Sequence, residues 1–147
     1  MKRLLTLLVA AFLLLGCEGP MGPMGPEGPE GPPGEGTSWD VSEWTVNQWT
    51  LSGTVNGNNS FYYADLVIPK LTPFIAQNGN VFVYKYTSNN VQAPLPYVSH
   101  KAEGTALWTE TYDFDFTPGS IRIYVQYSDF QTSIVPPSSK FRVVMNW

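Results

Sequence analysis

Residues 108–125, WTETYDFDFTPGSIRIYV, contain the clearest β-hairpin pattern in the chain. Apolar and polar side chains alternate on both sides of Pro118-Gly119, as in strands that turn one face to a core. The dipeptide predicts a turn in which glycine adopts a positive φ. A two-residue turn sets Asp115 opposite Arg122 on the outer face, in an exposed pair worth under about 1 kcal/mol. Because hairpins prefer other turn types, a register shifted by one residue is the alternative.

Alternating patterns on both sides of this hairpin predict further short strands. Residues 44–55 form either two short strands or one strand with a bulge. The two prolines within residues 93–98 restrict that segment to an edge strand or an extended crossing. Strands are also predicted at residues 61–68, 81–87 and 140–147, and the last of these sets one row of side chains on a common face: Phe141, Val143, Met145 and Trp147.

One helical turn is predicted between the strands. Thr72 is its N-cap, Pro73 occupies its first position and Gly79 follows its end, which are the positions that these residue types favour. We expect Phe74 and Ile75 to pack over an open end of the sheets. Residues around His100, up to Gly104, are predicted to form a polar loop.

Seven or eight short strands with one helical turn predict an all-β fold. The expected architecture of residues 37–147 is a single β-sandwich, immunoglobulin-like or jelly-roll in topology. A β-barrel is the alternative.

The N-terminal segment has the pattern of a signal peptide. Lys2 and Arg3 precede an apolar run from Leu4 to Leu15, which is shorter than the roughly 18 residues that cross a bilayer. The run ends in Leu14-Leu15-Gly16-Cys17, which resembles the lipobox of bacterial lipoproteins. The resemblance implies removal of residues 1–16 and a diacylglyceryl thioether on Cys17 Sγ, usually with an acyl group such as palmitate on the new amine. Two or more acyl chains anchor a protein stably in a membrane.

The same resemblance implies a location. Glu18 follows the cysteine, where lipoproteins retained in the inner membrane carry aspartate, so outer-membrane placement is expected. The side of that membrane on which the protein lies, periplasmic or cell-surface, stays open.

Glycine recurs at every third position from Gly19 to Gly34, and proline follows it in five of the six triplets, which is the collagen pattern. Residues 17–36 are therefore predicted to form an extended collagen-like or polyproline II stem. Six triplets alone make a marginal triple helix, so the pattern favours a monomeric spacer over a trimer.

Composition excludes several classes of function. The chain has 8 Lys and Arg against 12 Asp and Glu, so clustered phosphate contacts and nucleic-acid binding are not expected. Cys17 is the only cysteine, which excludes an internal disulfide. No zinc-ligand spacing, P-loop or dinucleotide fingerprint occurs, and no cofactor or metal is expected.

Candidate catalytic residues are few. His100 is the only histidine and lies without a nearby serine motif, so it is interpreted as a solvated side chain. Asp113 and Asp115 share one strand face and suit a glycosidase or a calcium site, but a charged outer face that blocks edge association is the favoured interpretation. Glu110 falls on the apolar face and is expected at the sheet margin. No enzyme activity is predicted.

Tyrosine is too abundant for every ring to be interior. Exposed rings on a sheet can stack on sugars or anchor a protein partner, although ordinary core and cross-strand packing is the favoured interpretation. The candidate ligand-binding residues are Tyr84, Tyr86, Tyr97 and Tyr124.

The chain resembles a group of small bacterial lipoproteins in which a lipobox cysteine and a short collagen-like stretch precede a C-terminal β domain. The β-domain residues that carry this resemblance are Pro69-x-Leu71-Thr72-x-Phe74-Ile75, Asn78-Gly79-x-Val81, Leu95-Pro96-Tyr97, Gly119-Ser120-Ile121-x-Ile123-Tyr124 and Phe141-Arg142-Val143-Val144. The resemblance implies architecture and location, and no activity.

The sequence thus predicts a protein held to the membrane by lipid on Cys17. Its sandwich would make structural or adhesive contact with an envelope protein, without catalysis. The alternative is a carbohydrate-binding module that uses exposed Tyr and Trp side chains, with a glycan as partner.

Overall fold

The computed structural model describes residues 36–147. The predicted signal peptide, the lipidated Cys17 and the collagen-like stem up to residue 35 lie outside this range. The described elements are β1 (Trp39–Val46), β2 (Thr50–Ser52), β3 (Phe61–Val67), α1 (Pro73–Asn78), β4 (Asn80–Ser88), β5 (Val91–Pro94), β6 (Tyr97–Glu103), β7 (Ala106–Thr117), β8 (Ser120–Tyr127) and β9 (Ser139–Asn146).

The strands form two antiparallel sheets that pack on each other, so the predicted β-sandwich is confirmed. Sheet A has the strand order β1-β9-β4-β5, and sheet B has the order β2-β3-β8-β7-β6. Four connections are hairpins within a sheet, and the other four cross from one sheet to the other. The described chain has nine strands rather than seven or eight, because residues 39–52 form two strands and the segment around His100 is itself a strand.

The core lies where alternate residues of β8 and β9 meet. Ile121, Ile123 and Val125 of β8 and the Phe141, Val143, Met145 row of β9 have no exposed surface. Burial of an apolar side chain of this size contributes about 1.5–3 kcal/mol. The sequence predicted this face of β9, but Trp147 follows the strand and keeps 38% of its surface exposed.

The register predicted for the central hairpin is confirmed. Asp115 pairs with Arg122 across β7 and β8, and Gly119 has φ of 85° in the turn. The expected ion pair between these two side chains is wrong, however. Arg122 donates to Asp65 of β3, from Nε to Oδ1 at 2.6 Å and from Nη2 to Oδ2 at 2.9 Å. The reason is that β8 has a neighbour on each side, and Asp65 also lies directly opposite Arg122.

The short helix begins and ends as predicted. The Thr72 side chain accepts a hydrogen bond from the Ile75 N–H, and Gly79 follows the last residue of α1. Ile75 is buried as expected, whereas Phe74 is 61% exposed, so the expectation that both side chains cover the sheets is wrong for Phe74. The helix is a turn and a half long, so adjacent side chains point in different directions and only one row can face the core.

The proline-rich segment of residues 93–98 was predicted to be an edge strand or an extended crossing, and it is both. It begins as β5 at the edge of sheet A, crosses to sheet B at Leu95-Pro96, a cis peptide, and continues as β6 at the edge of sheet B. His100 therefore lies in β6 and not in a loop. Its side chain is exposed, and its Nδ1 atom is 3.1 Å from Thr109 Oγ1 of β7.

Candidate functional site

The four candidate tyrosines do not form one site. Tyr84 and Tyr86 alternate with the inward-facing residues of β4 and therefore lie on the outer face of sheet A. Tyr124 lies on the outer face of sheet B, since its neighbours Ile123 and Val125 are buried in the core. Tyr97 points between the sheets, with its ring centre 6.4 Å from that of Tyr112. The structure brings together only Tyr84 and Tyr86.

A row of aromatic rings extends along β4 on the outer face of sheet A. Phe82 precedes Tyr84 and Tyr86 at the same two-residue spacing, so the three side chains lie about 7 Å apart along the strand. We call these three residues the aromatic row. Phe82 is 46% exposed, and both tyrosines are half-buried. Phe82 is not among the candidates predicted from the sequence, although the alternation in residues 81–87 places it on the same face as Tyr84 and Tyr86.

Polar groups surround the Tyr86 end of the row. Tyr86 donates its hydroxyl proton to Glu43 of β1, and Gln92 Nε2 donates to the Tyr86 oxygen at 3.2 Å. Lys140 Nζ lies 2.7 Å from Glu43 Oε2 and 4.7 Å from the centre of the Tyr86 ring. Arg142 Nη1 donates to Gln92 Oε1 at 3.2 Å. These groups come from β1, β5 and β9 and fix the orientation of the Tyr86 ring.

The charges in this network shift one another's titration. The hydrogen bonds from Lys140 and Tyr86 lower the pKa of Glu43, because both stabilise its carboxylate. The same contacts raise the pKa of Lys140 and that of Tyr86. At neutral pH the network therefore holds a carboxylate, an ammonium group and a protonated phenol.

The other end of the same face is apolar. Val41, Val144 and Phe82 lie opposite one another across β1, β9 and β4. Val41 is 49% exposed, and Trp39, two residues earlier on β1, is 63% exposed. The outer face of sheet A thus combines an exposed apolar patch with the aromatic row and its polar partners, an arrangement suited to a partner with both apolar and hydrogen-bonding surface.

The outer face of sheet B is dominated by local pairing. Tyr124 donates to Asp115, and the Arg122 guanidinium lies 4.3 Å from the centre of the Tyr63 ring while it pairs with Asp65. The prediction that Asp113 and Asp115 protect a sheet edge is wrong, because β7 lies between β8 and β6.

Lys85 of β4 points inward and places its ammonium group between the two sheets. Its Nζ atom is 4.7 Å from the centre of the Tyr112 ring and 5.9 Å from that of Tyr97. Burial lowers the pKa of Lys85, since the ammonium form loses water. Desolvation, with the nearby Glu110 carboxylate, raises the pKa of Tyr112 to about 12.

A cleft of about 240 Å³ lies beside the start of β7, between that strand and the segment that joins β8 to β9. We call it the Trp108 cleft. Its lining includes Glu103, Trp108, Glu110, Tyr127, Asp129 and Ile134. Glu110 is the fifth residue of β7 and pairs with Ser99 of β6 and with Tyr127, the last residue of β8. It therefore lies at the end of the β7–β8 ladder, and the expectation that it lies at the margin of the sheet is wrong. The sequence did not indicate the cleft. Residues 128–138 form one of its walls, and they lack the alternation of apolar and polar side chains that predicts a strand.

The described residues include no group of three His, Cys, Asp or Glu side chains that could hold a metal ion. No helix within residues 36–147 is long and apolar enough to span a membrane. Comparison with protein-family models, curated proteins and solved structures finds no match to the chain.

Proposed function

We propose that the chain is a lipid-anchored cell-envelope protein that displays its β-sandwich for structural or adhesive contact, without catalysis. The observation that carries the anchor is Cys17 at the end of a short apolar leader, directly before the Gly-Pro triplets. Lipid on Cys17 would hold the protein in the outer membrane, and the triplets would act as a spacer about 3.1 Å long per residue.

The contact surface in this proposal is the outer face of sheet A. Large apolar side chains are exposed at one end of that face, with Trp39 at 63%, Val41 at 49% and Phe82 at 46%. Its other end carries an orienting network of charged and amide groups around Tyr86. Exposed aromatic side chains surrounded by polar groups are typical of contact surfaces between proteins.

Metabolic labelling tests the anchor. In a Gram-negative host fed an alkyne analogue of palmitate, we expect the wild-type chain to carry the label and to fractionate with the outer membrane. Cys17→Ser should lose the label and no longer fractionate with the outer membrane. A labelled Cys17→Ser protein, or one that still fractionates with the outer membrane, would contradict the proposed anchor.

Binding to isolated cell envelopes tests the contact surface. We expect Phe82→Ser to weaken binding of the purified protein several-fold, because it removes an exposed aromatic anchor from the apolar end of the face. Val67→Ser is the matched control, since Val67 is 67% exposed on the outer face of sheet B. Equal losses in the two variants would rule out sheet A as the specific surface.

A second candidate is carbohydrate binding by the aromatic row. Three rings on alternate positions of one strand, with Arg142, Gln92 and Glu43 beside them, provide stacking surfaces and hydrogen-bonding groups on one flat sheet. A polysaccharide chain lying along β4 would contact the rings in succession.

A glycan-binding screen separates the two candidates. If the row binds a glycan, Tyr84→Ala and Tyr86→Ala should each weaken that binding several-fold, whereas Tyr124→Ala on sheet B should not. Specific micromolar binding to a sugar with this pattern would replace protein contact as the function of the face. No glycan binding, together with loss of envelope binding in Phe82→Ser, would support the first proposal.

A further inference from the structure

The Trp108 cleft is separate from the proposed contact face. Trp108 and Glu110 are on the inward-facing row of β7, whereas the aromatic row is on the outer face of the other sheet. The apolar part of its lining includes Trp108 and the exposed side chain of Ile134. A concave site with an aromatic wall and a few polar groups is the usual form of a small-ligand site.

The outer wall of the cleft is held in place from both ends. Thr132 is 1% exposed; its hydroxyl accepts a hydrogen bond from the Asn56 N–H at 2.8 Å, and its carbonyl accepts one from Tyr62 at 2.7 Å. At the other end, Ser138 Oγ donates to Asn47 Oδ1 at 2.7 Å. These anchors hold the wall in position, so little ordering is needed for binding.

Two polar side chains of β7 and β8 line the cleft. Tyr127, the last residue of β8, is 7% exposed. The side chain of Glu110 is 18% exposed, and among the described residues it forms an ion pair with Lys101 at 3.6 Å. The Tyr127 hydroxyl and the Glu110 carboxylate can accept hydrogen bonds from a ligand in the cleft.

The acidic lining of the cleft favours a ligand with a positive charge. Glu103, Glu110 and Asp129 line it, and no Lys, Arg or His side chain of the described domain does. Glu103 and Asp129 make no ion pair with any described residue, whereas Lys101 and the inward-pointing Lys85 partly compensate the charge of Glu110 from outside the lining. Asp129 Oδ1 accepts from the Gln131 N–H at 3.1 Å, which leaves its other oxygen available.

We propose that the Trp108 cleft binds a small organic cation, an ammonium group on an apolar body. The apolar body packs against Trp108 and Ile134. The ammonium group donates hydrogen bonds to the Glu110 carboxylate and to the Tyr127 oxygen. Glu103 and Asp129 add long-range attraction at the mouth, which salt screens.

Three ligands that differ mainly in charge test this site: 2-phenylethylamine, 2-phenylethanol and phenylacetate. The protein is the full chain purified in detergent, and calorimetry measures binding. We expect a Kd of about 1 mM or tighter for the amine, with at least about tenfold weaker binding of the alcohol and the acid, as the loss of one charge-assisted hydrogen bond implies. Equal binding of amine and alcohol would overturn the proposal, and so would no binding of the amine.

Substitutions in and near the cleft test whether the ligand binds beside Glu110. Glu110→Gln should weaken amine binding by about tenfold, and Lys101→Gln should tighten it because it releases the Glu110 carboxylate. Asp113→Asn, on the opposite face of the same strand, is the matched control and should bind as the wild type does. Lys101 is an exposed side chain, so its variant keeps the test decisive even if Glu110→Gln fails to fold. Unchanged or weaker binding in Lys101→Gln would contradict the proposal.

Discussion

At the scale of single residues, Phe141 joins the two sheets. Its side chain is fully buried in β9, and its ring centre lies 6.3 Å from that of Trp49 and 6.4 Å from that of Tyr112 on β7. Edge-to-face and tilted aromatic contacts of this kind add about 0.5–1.5 kcal/mol each to the burial of their area.

We expect Phe141→Ala to reduce the free energy of unfolding by about 3–5 kcal/mol, because it leaves a cavity between close-packed sheets. Urea denaturation followed by fluorescence measures the loss. Phe74→Ala is the matched control, since Phe74 is 61% exposed on α1 and should cost under about 1 kcal/mol. Similar losses in both variants would mean that Phe141 does not have this role.

Asp65 contributes to the stability of the domain at neutral pH, and this contribution is lost in acid. Its two hydrogen bonds from Arg122 lower the pKa of Asp65 below the usual 3.8. A carboxyl group whose pKa is lower in the folded state stabilises the fold above its unfolded pKa, and this stabilisation is lost as the pH falls through the folded pKa.

We therefore expect Asp65→Asn to destabilise the protein by about 0.2–1 kcal/mol at pH 7, the range measured for exposed ion pairs. Below the lowered pKa of Asp65 the wild type and the variant should unfold at the same temperature, because the wild-type carboxyl is then neutral. Thermal unfolding from pH 2 to pH 7 checks this. A constant difference across that range would contradict the ion-pair mechanism.

At the scale of elements, the β7–β8 hairpin depends on the backbone conformation of one glycine. Gly119 has φ of 85°, and a Cβ atom built on it meets nothing within 4 Å. The only cost of a side chain at this position is therefore conformational. Its N–H donates to the Leu71 carbonyl at 2.7 Å, which ties the turn to the segment before α1.

Gly119→Ala should destabilise the domain by about 1–2 kcal/mol, the cost of placing an L-residue in the left-handed region. Gly36→Ala is the control, because Gly36 also has open space around its Cα and does not have a positive φ. Chemical denaturation of both variants measures the difference. If Gly36→Ala is equally destabilising, the conformational explanation fails.

At the scale of the whole molecule, the described residues contain their own core. The buried side chains come from both sheets, from α1 and from the segments before α1 and after β5, all within residues 46–145. A core of this extent is sufficient for independent folding of a domain of about 110 residues.

We expect residues 37–147 to unfold at the same temperature as residues 18–147, and both to be monomeric by light scattering. The stem should add length without stability, since six triplets make a marginal triple helix. A trimer formed by the longer protein and not by the shorter one would show that the Gly-Pro triplets assemble three chains.

Local signals determined most of the elements. The alternation of apolar and polar residues predicted which faces of β7, β8 and β9 point to the core, and the Pro118-Gly119 turn predicted the register of the central hairpin. Both signals depend on residues close together in the chain. The capped helix was predicted for the same reason. The leader, Cys17 and the triplets remain sequence predictions, since they lie outside the described residues.

Only the tertiary structure decided which strands are neighbours, and the surfaces follow from that order. Arg122 lies opposite Asp65 of β3 and Asp115 of β7, and it pairs with Asp65, whereas Asp115 accepts a hydrogen bond from Tyr124. Glu43 meets Tyr86 across β9, and the segment after β8 completes the Trp108 cleft. Residues so far apart in the chain come into contact only when the two sheets form and pack on each other. That packing depends on the whole domain, so no local sequence pattern predicts these contacts. The sequence by itself thus determined an all-β sandwich, and the packing of its sheets determined the sites.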